Sequence, residues 1–247
     1  MNFISKFFNY SYFKKNAPSA FKKTYQDMEN SKAYKKYCQE LHGTDYRCLN
    51  TLSKKQYLKL KEIIKEQSPE LLLDIGSGNG KLTSSLAREF NFKAHGIDFA
   101  LCPSDEAGVT FSKDDIESFK RNETYDLIIS IDSFYMIRNY RKFLKNLKNH
   151  LGENKKIILF FTLVNNSFNN SPIPKALAKL RLNYEITEFS EDDLQFWQKS
   201  RELLDEMNDE FVDENHFKLW NIKKKEADKN ISLHSTQQTH RYLLIIN

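Results

Sequence analysis

Apolar residues along the chain change their spacing once. Up to about residue 68 they recur at helical intervals, first Phe3, Ile4, Phe7, Phe8 and Tyr12, then Tyr34, Tyr37, Cys38 and Leu41, then Tyr57, Leu60 and Ile64. Ser53 and Gln56 stand ahead of the third set as a capping box, and Pro69 stops its helix. From Leu71 short apolar runs alternate with helical stretches: LLLDI, LTSSLAREF, KAHGID, VTFSK, DLIISID, YRKFLKNLKNHL and KIILFFTLV. Near-continuous apolar strands separated by helices predict an open α/β fold whose parallel sheet is covered on both faces. After Val164 come the polar loop NNSFNNSPIP, a short helix around residues 176–180, the strand-like YEITEF, a long helical stretch from 191 to about 229 and a closing strand RYLLII. Leu194, Trp197, Leu204, Met207 and Phe211 keep a helical stripe through that long stretch.

The pattern divides the chain into a helical cap (1–68), a strand–helix core (69–164) and a mixed last part (165–247), within one domain of 247 residues that is 40% hydrophobic. Thirty-eight Lys and Arg face 33 Asp and Glu, a net charge of +5 interleaved along the chain, so acidic partners are permitted and none is demanded. The three cysteines, Cys38, Cys48 and Cys102, are neither paired nor closely spaced. Neither a disulfide framework nor a bound metal is expected, and a reducing, cytoplasmic setting is. MNFISKFFNYSYFKKN lacks the unbroken apolar centre and small-residue cleavage site of a signal peptide, and no segment reaches the length of a membrane span.

LLLDIGSGNG sets Gly76, Gly78 and Gly80 at alternate positions after the first strand. A nucleotide-phosphate loop needs Gly-Lys-Ser/Thr, but Leu82 follows Lys81. A dinucleotide fingerprint spaces its glycines as GxGxxG, which differs here. A third reading takes the glycines as a sharp turn that lets a ligand lie against backbone. Asp74, at the strand end, then presents an acceptor to a cationic amine.

LDIGSGNG resembles the first motif of the class I S-adenosylmethionine-dependent methyltransferases of small-molecule type, and the downstream elements agree in order. The resemblance implies a Rossmann-like fold: a mostly parallel seven-stranded sheet with an antiparallel last strand, an N-terminal helical cap and a helical insertion before that strand. It implies S-adenosyl-L-methionine as cofactor and S-adenosyl-L-homocysteine as product. Asp74, Gly76, Ser77, Gly78 and Gly80 would form the donor loop. Asp98, with Phe99 beside it, would take the ribose hydroxyls. Asp115 would take the adenine amino group with Ile116 on the ring, Asp114 being the neighbouring register, and Ser130 and Asp132 would border the sulfonium and the substrate. One departure stands out: FALCPSDEAGVT, with Pro103 and Gly108, replaces the helix that usually follows the second strand.

Methyl transfer from a sulfonium depends on in-line placement, with a base only where the acceptor must lose a proton. Asp132 and Tyr135 are the candidates for that role; the plainer readings are a loop-capping carboxylate and a packing ring. Tyr46 and Trp197 are candidate substrate-lining residues with a core role as the alternative, and His42 could enter the site or simply cap its helix. ISIDSF stands where base-modifying relatives carry NPPY or DPPY, and no Pro-Cys pair is present, so nucleic acid is disfavoured as a partner. The expected acceptor is a nitrogen or oxygen of a small molecule. An RNA or protein methyltransferase is the same-class alternative, and a non-catalytic module that keeps the donor pocket is the other. The aromatic and basic N-terminus reads first as a lid and second as a membrane contact.

Overall fold

The structure, a computed structural model, describes residues 10–44, 46–101 and 103–247, with side chains of the first helix from Asn16 onward. Phe3, Ile4, Phe7, Phe8 and Cys102 lie outside the described residues, as does the side chain of Tyr12.

Helices α1 (Tyr10–Asn30), α2 (Lys32–His42) and α3 (Lys54–Gln67) precede the sheet. Ser31 caps α2 by accepting the Tyr34 N–H at 2.9 Å, and Gly43 ends it in the left-handed region at φ 71°. Ser53 caps α3 through the Gln56 N–H at 3.1 Å. The box is only half closed, because the Gln56 side chain donates to Asp192 and accepts from Arg241 instead of turning back.

Strands β1 (Leu71–Ile75), β2 (Lys93–Asp98), β3 (Val109–Lys113), β4 (Tyr125–Ile131), β5 (Leu151–Val164), β6 (Tyr184–Glu188) and β7 (Thr239–Ile246) form one seven-stranded sheet in the order β3-β2-β1-β4-β5-β7-β6. The first five are parallel, while β7 runs antiparallel between β5 and β6. Strand order reverses between β1 and β4, so their carboxyl ends open the crevice where such sheets bind ligands.

Helix α4 (Lys81–Phe90) joins β1 to β2, α5 (Tyr140–His150) joins β4 to β5, and α6 (Ile173–Leu180) follows β5. Among the described residues no helix links β2 to β3; Glu106 and Val109 exchange backbone hydrogen bonds in a turn instead. The long helix expected over 191–229 is three: α7 (Ser190–Glu206), α8 (Asn208–Asp213) and α9 (Phe217–Ser235). Asn215 makes the second break, at φ 60°, with the His216 N–H returning to the Phe211 carbonyl.

Alternation along the strands feeds two cores. Leu72, Ile129 and Ile158 pack under α3 and α4 with Leu60, Ile64 and Leu86, while Leu73, Ile128 and Ile157 pack with Phe143 and Leu147 of α5 and Leu177 of α6. A third cluster joins Tyr34, Tyr37 and Leu41 of α2 to Trp197, Leu204, Phe211 and Trp220 of the insertion. Cap and insertion therefore share one apolar cluster, although they are far apart in sequence.

Candidate active site

The loop after β1 turns on glycine. Gly76 and Gly78 adopt φ 81° and 57°, where a side chain is strained. A Cβ on Gly76 would lie 2.4 Å from Ser133 Cβ, and one on Gly78 would lie 2.4 Å from the Tyr25 hydroxyl. The first contact comes from the turn after β4 and the second from α1, so the loop is pressed from both sides. Gly80 starts α4 with no side-chain cap of its own, and the Lys81 N–H reaches the Asn79 side chain at 3.4 Å. The Ser77 hydroxyl is buried and has no hydrogen-bond partner.

Two acids flank this loop. Asp74 is 2% exposed and accepts from Thr83 Oγ1 at 2.5 Å. Burial pushes its carboxyl up to about 7, the Thr83 bond opposing and the Asp98 charge adding to the rise. The Asp98 carboxylate accepts from the N–H groups of Ala100 (2.7 Å), Leu101 (2.9 Å) and Gly78 (3.2 Å). Burial raises it too, against those three bonds. Phe99 meets Phe21 of α1 edge-on at 6.0 Å.

Farther along, Asp115 caps its own turn by accepting the Glu117 N–H at 2.9 Å, whereas Asp114 is ion-paired with Arg121 at 2.9 Å. Ile116 is 5% exposed and packs in the core with Ile75 and Ile97. The Ser130 hydroxyl is likewise turned inward, bonded to the Ile75 carbonyl (3.0 Å) and to Ser133 Oγ (2.5 Å).

Asp132 does not stand open to a substrate. Its carboxylate is paired with both terminal nitrogens of Arg241 and accepts from the N–H (2.6 Å) and hydroxyl (3.0 Å) of Thr51. Arg241 is fully buried, and also donates to Gln56 Oε1 (3.0 Å) and Thr162 Oγ1 (3.2 Å). Asp192 completes the network through Ser53 and Gln56. Asp132 thus ties β4, β7 and the cap together, and its carboxylate is already engaged by Arg241 and Thr51.

Tyr135 does project into the crevice, 63% exposed, from a short 3-10 turn (Phe134–Met136). Its phenol is raised above the usual range, first by the protein crowding around it and then by the Asp132 and Asp98 charges. Tyr25, which accepts the Asn79 N–H, is raised by burial, by Asp98 and by Tyr135 as well. Phenols are protonated at neutral pH, so both side chains offer hydrogen-bond donors there.

Tyr46 is half-buried between the sheet-side and cap-side clusters. Trp197 is 4% exposed inside the cap, its indole N–H on Asp193 at 3.2 Å, with His234 on the same carboxylate at 2.8 Å. His42 is 4% exposed, with Nδ1 on the Leu52 carbonyl at 2.9 Å. Arg241, Thr51 and Tyr25 escaped the reading of the sequence, which took Gln56 only as part of a helix cap. Arg241 left a legible trace, a cation inside the apolar run RYLLII; Tyr25 is one aromatic among many.

The strand order, the glycine turn at the switch point and the acid ending β2 together define a class I S-adenosylmethionine-dependent methyltransferase. The residues present fit that cofactor: a tight backbone cradle, an orphaned buried hydroxyl at Ser77 and a buried Asp74 carboxyl without a cation bonded to it. The chain belongs to the methyltransferase domain family, whose profile matches residues 50–224.

Among its relatives, a malonyl-[acyl-carrier protein] O-methyltransferase of Bacillus cereus is 33% identical over 130 residues, 47% of this chain and 48% of that one. The chain thus matches about half the length of that relative. A Haemonchus contortus phosphoethanolamine N-methyltransferase 2, solved with phosphomonomethylethanolamine and S-adenosylhomocysteine, superposes with a TM-score of 0.71 at 16% identity, over 88% of this chain and 57% of that one. The cyclopropane synthase MmaA2 from Mycobacterium tuberculosis gives 0.64 at 12% identity, over 89% and 97%. At such identities these two structures share the fold.

Proposed function

We propose that the chain transfers a methyl group from S-adenosyl-L-methionine to a nitrogen or oxygen of a small-molecule acceptor. The observation that carries this is the glycine loop with its orphaned Ser77 hydroxyl, lying at the switch point beside the crevice that Tyr135 and Tyr25 enter. The cofactor supplies an already activated methyl group on a sulfonium. The chain's part is to hold and to place.

Gly76, Ser77, Gly78 and Gly80 offer backbone and hydroxyl to the amino-acid end of the donor, and Asp74 gains from a ligand ammonium the countercharge it lacks. Asp98, with Phe99, is assigned the ribose hydroxyls, and Asp115 the adenine amino group; Ile116 shapes that floor from within the core. Ser130 braces the loop from below. Tyr135 donates a hydrogen bond to the acceptor, Tyr46 forms its wall and Trp197 supports that wall from inside the cap.

With the Asp132 carboxylate engaged by Arg241, an acceptor that needs no base suits the site best: a carboxylate oxygen or an unprotonated amine. Relatives named for O-methylation of malonyl-[acyl-carrier protein] support the oxygen case. The described parts of the stretches 1–68, 69–164 and 165–247 act as one domain, joined by the core cluster that runs from Leu52 and Leu60 through Leu72 and Ile158 to Phe189 and Leu243. Buried free thiols at Cys38 and Cys48 suit a cytoplasmic setting, and among the described residues no helix is long and apolar enough to cross a membrane.

Calorimetric titration with S-adenosylmethionine and S-adenosylhomocysteine tests the donor site, and binding of neither overturns the reading. A metabolite extract incubated with labelled methyl donor, followed by mass spectrometry, then identifies the acceptor. Donor binding with label found only on RNA or protein would favour the macromolecular alternative.

A further inference from the structure

Away from the donor loop, the cap contains a cluster that the methyl-transfer reading does not use. Cys38, His42 and Cys48 bring one ligand atom each to within 4.8 Å of one another. Cys38 and Cys48 are 0% and 5% exposed and His42 is 4% exposed. The sequence separation hides this grouping. Cys38 and His42 share a face of α2 at i and i+4, and the left-handed turn at Gly43 then brings the chain back so that Cys48 completes the set.

Each member is oriented from outside. His42 Nδ1 lies on the Leu52 carbonyl at 2.9 Å, which makes it the N–H side of the ring and leaves the Nε2 lone pair for a ligand, the usual arrangement around a metal-bound imidazole. Tyr34 donates to the Cys48 carbonyl at 2.8 Å and fixes its backbone. The Cys48 N–H and thiol both lie within hydrogen-bond reach of Cys38 Sγ, so the two sulfurs already sit side by side. Lys223 also faces the cluster, its charge balanced by Glu226 at 2.6 Å.

We propose that Cys38, His42 and Cys48 bind a zinc ion. Two thiolates and one neutral imidazole are a borderline-soft donor set that prefers zinc over magnesium or calcium and leaves one tetrahedral position for water or an added ligand. Binding releases two thiol protons and gives a neutral site, two negative sulfurs against a dication. The ion would pin the return loop to α2. That loop touches both halves of the crevice: the Arg47 carbonyl accepts from Asn79 of the donor loop at 3.1 Å, and Thr51 holds Asp132. Through these contacts, loss of the ion should loosen the donor loop from above.

The full chain, purified with reductant and without chelator, should carry about one zinc per chain by plasma mass spectrometry. His42→Ala and Cys48→Ser should lower this to less than about a tenth of the wild-type content. Because either substitution opens a buried site and can stop folding, the wild-type chain is also stripped with chelator and titrated with cobalt chloride. Tetrahedral visible bands and a thiolate-to-cobalt charge-transfer band should appear, and the midpoint of thermal unfolding should rise as metal is restored. Zinc-free protein with no cobalt spectrum overturns the proposal, as does a chain purified under reductant in which Cys38 and Cys48 persist as a disulfide with no metal. These readouts are independent of S-adenosylmethionine binding, so the zinc site and the methyltransferase reading fail separately.

Discussion

The guanidinium of Arg241, fully buried on β7, is paired with the carboxylate of Asp132 at the end of β4. Burial works against the Arg241 charge, and Asp132 together with Asp193 and Asp192 outweighs it and raises the guanidinium further. Asp132 sits at φ 54°, a conformation its bonds to Arg241 and Thr51 hold in place. Gln56 and Asp192 extend the pair to α3 and α7 at the carboxyl end of the sheet.

Breaking one side of this pair leaves a buried charge unmatched. Asp132→Asn and Arg241→Met should each lower stability by about 3–5 kcal/mol in urea unfolding, while the double variant should recover a large part of the loss. Simple additivity of the two single losses would mean that the pair is not coupled as the geometry states.

Asp98 and Asp132 should separate binding from turnover. Asp98 carries three backbone N–H bonds of the donor crevice, so Asp98→Ala should weaken S-adenosylmethionine about 10- to 100-fold in calorimetry. Asp132→Ala, assayed below its melting temperature, should keep donor affinity within about threefold and lose turnover, because it moves the acceptor side. Equal loss of affinity in both would remove the division of roles.

The core was legible because strands buried on both faces write near-continuous apolar runs, and the donor loop because only glycine tolerates its turns. Pro103 and Gly108 likewise foretold the missing helix between β2 and β3. The roles of polar residues were less legible. Asp132 and Trp197 look like site residues by position, yet their partners, Arg241 and Asp193, lie about 109 and 4 residues away and only the fold reveals what each satisfies. The Cys38, His42 and Cys48 cluster was hidden for the same reason, since it depends on a turn that bends the chain back. Asn215 broke the long helix through a left-handed cap that periodicity alone does not register.

Two glycines with similar φ should respond differently to alanine. Gly76, at 81°, would place its new Cβ 2.4 Å from Ser133 Cβ, whereas Gly108, at 78°, faces open space. Gly108→Ala should cost only the backbone strain, about 1–2 kcal/mol. Gly76→Ala should cost more and also abolish detectable S-adenosylmethionine binding, since the loop must shift away from the turn after β4. Thermal melts with and without S-adenosylhomocysteine check both: the ligand should raise the melting temperature of Gly108→Ala and leave that of Gly76→Ala unchanged.

Asp74 makes the fold and its ligand sensitive to pH in opposite directions. With its carboxyl raised from 3.8 to about 7, the folded chain keeps a proton that the unfolded chain has released. The unfolded state binds fewer protons in that window, so this residue's contribution to stability falls as pH rises from about 4 to about 7 and then levels, by about 4 kcal/mol at most. Asp74→Asn keeps an acceptor for Thr83 and loses the titration. Its stability relative to wild type should climb across the same window in urea unfolding. A ligand ammonium favours the ionised carboxylate, so wild-type affinity for S-adenosylmethionine should rise with pH up to about 7 and release a proton on binding below it. Titrations in buffers of different ionisation enthalpy measure that proton; a pH-independent difference between wild type and Asp74→Asn, with no proton released, would show that Asp74 serves Thr83 alone.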